Sequence, residues 1–265
     1  MRATLVAAAV LAAATTFGSA GPAHAASVCF NGLTPLPVVD GEINGTEGAD
    51  DIRCLSLTNG NTLNGLGGDD TIRIIGLVGS LGVYGGSGND TITVRATLSG
   101  GFGNTALVSG GDGDDVLTLG GLERNGAEAR GDAGNDTLNI GVIDPGGRAE
   151  GNDGDDLLQI DSNASTVMAG AGNDTIQGLR TDRMSLTPGS FTDAGDGTDT
   201  CRLRYPGTGS PAVAGCEATP DRAALAEPAA SPELRSRPLQ GESMRRGADR
   251  ASLASSTREW MPSFA

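Results

Sequence analysis

Between Gly45 and Arg202 the apolar residues fall on every second position in short runs, as in Thr91-Ile92-Thr93-Val94 and Leu117-Thr118-Leu119. That alternation is the period of a half-buried strand. A glycine-rich stretch precedes each run, and glycine weakens strands and is chosen where the backbone needs positive φ, so this half is expected to be a turn. Turn and strand together make a nine-residue phrase, clearest as GGSGNDTIT from Gly85. Its eight copies start at Gly45, Gly65, Gly85, Gly110, Gly131, Gly151, Ala169 and Ala194. Three slots are strict: Gly is fourth, Asp is sixth, and an aliphatic residue or Cys is eighth.

Aligned on the Asp, the copies expose columns. The eighth slot reads Ile52, Ile72, Ile92, Leu117, Leu138, Leu158, Ile176 and Cys201, and the tenth reads Cys54, Ile74, Val94, Leu119, Ile140, Ile160, Gly178 and Leu203. A third column lies two residues before each copy: Ile43, Leu63, Val83, Val108, Ala129, Ala149, Val167 and Thr192. The spacing predicts an all-β parallel β-helix, or β-roll, solenoid of about eight coils, each with two short strands and two turns. Copies are separated by 20, 20, 25, 21, 20, 18 and 25 residues, so the two long intervals should carry surface loops of about five extra residues. Only 3% of residues are aromatic while glycines number 43, a poor recipe for one large core but sufficient for stacked rungs.

The four cysteines fit the same register. Cys54 takes an inward slot in the first coil and Cys201 in the last. Three connectivities are possible, but pairing Cys29 with Cys54 and Cys201 with Cys216 closes each end locally. Two end-cap disulfides are therefore expected, the shorter worth about 3 kcal/mol in the chain-entropy model. Residues 26–44 would form an N-terminal cap and 45–216 the solenoid with its C-terminal cap. Residues 217–265 lose the alternation and are rich in Ala, Pro, Ser, Arg and Glu, the composition of a disordered tail.

Residues 1–25 read as a secretory signal peptide: Arg2, an apolar run from Leu5 to Ala14, and the small-residue site Ala23-His24-Ala25. The run is too short to span a membrane. A secreted, extracellular location is expected, which suits the disulfides. Cleavage there removes the single His, and all 18 basic residues are Arg. Ser-His-Asp and Cys-His catalysis, histidine zinc sites, P-loops and Schiff bases are thereby excluded. A formal charge of -15 also speaks against nucleic acid, which demands a basic footprint.

The sixth-slot residues Asp50, Asp70, Asp90, Asp115, Asp136, Asp156, Asp174 and Asp199 would stack into one file. At a coil spacing of about 4.8 Å, neighbouring charges repel by about 1 kcal/mol in water and about 3.5 kcal/mol at an effective dielectric of 20. Such a column calls for cations. Hard carboxylate oxygens beside glycine carbonyls, with no His or free thiolate, select Ca²⁺ over Zn²⁺, Cu²⁺ or Mg²⁺. Metal ligation likewise accounts for the doublets, such as Asp114-Asp115, without invoking a carboxylate-pair hydrolase.

Over residues 45–202 the phrase resembles the glycine-rich nonapeptide GGxGxDxUx of the RTX, or haemolysin-type, calcium-binding proteins, with GGSGNDTIT and GGDGDDVLT matching in full. The resemblance implies a right-handed parallel β-roll or β-helix, with Ca²⁺ held between turns by the eight aspartates and turn carbonyls. Family members repeat the phrase every nine residues. Here it returns every 18 to 25, so the calcium ladder should run along one edge only. The first, second and last copies are degenerate.

The leading expectation is a non-catalytic, secreted calcium-binding protein, structural or adhesive at the cell surface or in the matrix. Its candidate partner is an extracellular polysaccharide or a cell-envelope component. The alternative is a calcium-dependent polysaccharide lyase or epimerase, for which Arg73, Arg95, Arg124, Arg130 and Arg148 would have to supply a basic groove. An ice-binding face on Thr71, Thr91, Thr137, Thr175 and Thr200 is broken by Asp51, Val116 and Leu157, and strand preference explains those threonines.

Overall fold

The computed structural model describes residues 27–58, 60–78, 82–99, 106–123, 126–205 and 210–218. The expected signal peptide and most of the expected tail lie outside them. Among the described residues there is no helix, and hence none long and apolar enough to cross a membrane.

Each coil contributes one strand to each of two parallel sheets. The first sheet takes the strand that follows each aspartate: Asp51–Thr58, Thr71–Ile74, Thr91–Ser99, Val116–Glu123, Thr137–Ile143, Leu157–Asn163, Thr175–Gln177 and Asp199–Cys201, with Cys216–Ala218 as a final rung. The second takes the strand that leads into each turn, from Glu42–Asn44 through Phe191–Asp196 to Ala212–Ala214.

The register is the one the columns require. Ile52, Ile72, Ile92, Leu117, Leu138, Leu158, Ile176 and Cys201 pair in succession in the first sheet. The column from Ile43 to Thr192 pairs in the second. All these side chains are fully buried.

Three readings need correction. First, the turn is shorter than the glycine-rich half of the phrase. Second-sheet strands such as Gly82–Ser87 and Leu107–Asp112 run through the third slot and stay paired there. Pairing survives positive φ at the second slot because coils two to eight all bend in this sense there: Gly86 has φ 121° and Gly111 has φ 122°.

Second, Gly178 is not a rung of the tenth-slot column. The chain loops out over 178–183 and returns as Met184–Leu186, and it is the buried Met184 that pairs with Leu203. This is the surface loop expected of the second long interval. Of the first long interval, Ser99 and Ala106 flank a stretch outside the described residues, and a bulge opposite Gly120 takes up one further residue.

Third, there is a fourth inward column. Leu57, Leu98, Leu122, Ile143, Asn163 and Leu186 are all buried, with Leu98 to Leu186 in continuous register.

The ends are closed by the expected bridges, Cys29–Cys54 and Cys201–Cys216. At the N-terminal end an antiparallel hairpin, Val28–Asn31 with Thr34–Leu36, lies against the first coil.

Candidate metal centre

All eight sixth-slot aspartates stack in one column, but they point into the molecule. From Asp70 to Asp199 none is more than 2% exposed. Strand alternation is the cause: the sixth slot shares its face with the inward eighth and tenth slots.

Each carboxylate reaches back towards the preceding coil. The backbone N–H of Asp50 donates to Asp70 Oδ1 at 2.8 Å, that of Asp70 to Asp90 at 2.8 Å, and that of Asp90 to Asp115 at 2.6 Å. The chain of bonds continues through Asp136, Asp156 and Asp174 to Asp199, each at 2.8 Å. Buried N–H groups in a turn must find acceptors, and the aspartates supply them.

The fifth slot runs a second ladder in the opposite sense. Asn89 N–H donates to Asp69 Oδ1 at 2.9 Å, Asp114 N–H to Asn89 Oδ1 at 2.8 Å, and Asn135 N–H to Asp114 Oδ1 at 2.7 Å. Asp155, Asn173 and Thr198 extend it. Its exposed acceptors alternate strictly: Asp69, Asn89, Asp114, Asn135, Asp155, Asn173. The outer acids Asp112, Asp153 and Asp196, third in their phrases, also occur on alternate coils. Carboxylates of the fifth slot are therefore about 10 Å apart rather than about 5 Å, near one Debye length at physiological salt.

Two residues that the repeat alignment misses terminate the inner ladder. Glu217 Oε2 accepts the N–H of Asp199 at 2.6 Å. At the other end the Asn31 amide donates to Asp50 Oδ1, while Asn31 Oδ1 accepts the N–H of Asp51 at 3.2 Å. Glu217 lies 18 residues after Asp199 and Asn31 lies 19 before Asp50, so the coil spacing was the available signal.

The second oxygen is unpartnered in seven of the eight carboxylates. Oδ2 of Asp70, Asp90, Asp115, Asp136, Asp156, Asp174 and Asp199 is buried without a hydrogen-bond partner. Asp50 differs, because its Oδ2 accepts the Thr46 N–H at 2.6 Å. Burial raises the pKa of Asp115 and Asp156 to about 7, helped by neighbouring carboxylates and opposed by the hydrogen bond from the preceding coil. The same causes bring Asp70, Asp136 and Asp174 to about 6 and shift Asp90 and Asp199 upward. Burial, more than the repulsion between neighbours, thus favours the protonated form of these carboxylates relative to an exposed aspartate.

The donor set suits a hard divalent cation. It consists of orphaned carboxylate oxygens and backbone carbonyls, with every described cysteine in a disulfide. A Cβ built on Gly65 would fall within 3.0 Å of both Asp70 Oδ2 and the carbonyl oxygen of Gly85, so the two oxygens converge on one spot beside the glycine. Among the described residues no three acidic, His or Cys side chains gather at one point, so carbonyls would supply much of the coordination.

Four arginines are engaged with acids outside the column. Arg53 and Arg73 both reach Asp51, at 2.6 and 2.9 Å. On the second sheet Arg130 and Arg148 interlock with Glu128 and Glu150. Comparison of the chain with protein-family models, with curated proteins and with solved structures returned no match.

Proposed function

We propose that this is an exported, non-catalytic calcium-binding β-solenoid of the haemolysin-type repeat kind, structural or adhesive at the cell surface or in the extracellular matrix. The observation that carries the reading is the file of seven buried carboxylate oxygens without partners, from Asp70 to Asp199. An unpaired buried acceptor costs about 1–3 kcal/mol, and more when charged. A cation between successive turns would remove that cost and let the carboxylates ionise. Calcium fits because it accepts six to eight oxygens in irregular arrangements, including carbonyls. Two disulfides agree with an oxidising compartment.

The pairing of Arg73, Arg130 and Arg148 with acids on their own faces weighs against the lyase or epimerase reading, which needs a free basic groove. The test is thermal unfolding followed by circular dichroism, first in EGTA and then with calcium or magnesium restored. Calcium is expected to raise the melting temperature and magnesium to do so far less. Equal melting in EGTA and in millimolar calcium, with no calcium bound, would reject the reading.

A further inference from the structure

The eight turns are not equivalent, and the difference lies in the first slot of the phrase. In coils two to six that slot is Gly65, Gly85, Gly110, Gly131 and Gly151. A Cβ built at any of the five would fall within 3.0 Å of the Oδ2 of the aspartate in the same turn. At Gly65, Gly85, Gly110 and Gly151 it would also strike the first-slot carbonyl oxygen of the next coil. Beside each bare Cα, then, an orphaned carboxylate oxygen takes the place a methyl would fill, in four of the five coils together with a carbonyl oxygen of the next coil.

In coils seven and eight the first slot is Ala169 and Ala194, both fully buried. Their methyl groups project from the position that the glycines leave bare. Coil one is closed differently. Gly45 is bare, but Asp50 Oδ2 is already bonded to the Thr46 N–H at 2.6 Å, and Asp50 Oδ1 is held by Asn31.

We infer that calcium occupies only the five central turns, those of Asp70, Asp90, Asp115, Asp136 and Asp156, and that the end turns are closed to it by Asn31 and Thr46 at one end and by the two alanine methyls at the other. The inference rests on the calcium-binding reading above and adds to it an assignment of sites that the strict Asp column does not make. Two of the three closed turns, the outermost at each end, carry a covalent link instead: Cys54 lies in the first coil, and Cys201 joins the eighth to the final rung. Metal would hold the middle of the stack and disulfides its ends.

The experiment is calcium stoichiometry on the full oxidised chain, by titration against a chromophoric chelator and by elemental analysis after gel filtration. It compares wild type with the double variant Ala169→Gly/Ala194→Gly and with Gly110→Ala. About five calcium ions per chain are expected for wild type, more for the double glycine variant, and one fewer for Gly110→Ala. Circular dichroism at saturating calcium checks that each variant keeps its sheet. Should Gly110→Ala fail to fold, the double variant still decides, since removing two methyls leaves the ladder bonds in place. Seven or eight ions in the wild type, or an unchanged count in a folded double variant, would overturn the inference while leaving calcium binding intact. No bound calcium in any of them would overturn both.

Discussion

Asn163 Nδ2 donates to Thr192 Oγ1 at 3.1 Å across the interior, and neither residue has any exposed surface. Asn163 interrupts the fourth apolar column and Thr192 the third, so two polar intrusions on opposite sheets satisfy each other. The same amide donates to the Phe191 carbonyl at 3.0 Å, and its Oδ1 accepts the Ser165 N–H at 2.8 Å. Thr192→Val should therefore cost about 1 kcal/mol, and Asn163→Leu about 2–3 kcal/mol because it also strands two backbone groups. Chemical denaturation of both single variants and the double variant would measure the coupling, expected at about 1 kcal/mol. Strict additivity would argue against the pair acting as a unit.

Leu66 occupies the second slot of the second coil at φ 84° with its side chain partly exposed, where Gly86, Gly111, Gly170 and Gly195 stand in other coils. A left-handed backbone costs a non-glycine residue about 1–2 kcal/mol. Leu66→Gly is expected to stabilise by about 1 kcal/mol, read as a rise in the denaturation midpoint at unchanged slope.

The fourth-slot glycines are strict for a different reason. Gly134 has φ 133°, and a Cβ there would strike the carbonyl oxygen of Gly113 in the preceding coil. Gly48, in the first coil, has no preceding fourth-slot glycine, and a Cβ there meets nothing within 4 Å. Gly134→Ala should thus cost more than about 3 kcal/mol and Gly48→Ala under about 0.5 kcal/mol. Comparable melting temperatures for the two variants would contradict the stacking account.

In calcium-free buffer, stability should fall as pH rises from 5 to 8. Asp115 and Asp156 titrate near 7 in the folded chain, and Asp70, Asp136 and Asp174 near 6, above the ordinary carboxylate range to which unfolding returns them. The folded state then binds more protons than the unfolded one, so the stability present below about pH 4 is lost as pH passes through 6 and 7. Asp51, lowered by its hydrogen bond to Arg53, acts in the opposite sense and only at more acidic pH. Saturating calcium should flatten or reverse the fall, and melting curves at pH 5, 6.5 and 8 with and without the metal would show it.

Three of the four inward columns were legible in the sequence because their offset from the aspartate is constant, save in the seventh coil, where Met184 stands for Gly178 in the tenth-slot column. The fourth was not. Leu57, Leu122, Ile143 and Asn163 keep one offset, but the bulge near Arg95 moves the rung to Leu98, and the 178–183 loop moves it to Leu186. Asn163 further disguises the pattern. The aspartate column was legible as a column. Its inward direction follows from the same alternation that identified the eighth and tenth slots but was not drawn from it, and the burial of Asp70 to Asp199 supplies it. The roles of Asn31 and Glu217 were hidden because neither lies in a recognisable phrase.

The alternation of Asp69, Asn89, Asp114, Asn135, Asp155 and Asn173 makes the natural unit of this stack two coils rather than one. Excising one coil, residues 131–150, would set Asp114 directly over Asp155. Excising two, residues 110–150, would join Asn89 to Asp155 and keep every neighbour unlike. A lineage that lengthens or shortens such a molecule is thus free to do so in pairs of coils, whereas removing a single coil that carries the asparagine meets an electrostatic obstacle that no change in the core would reveal.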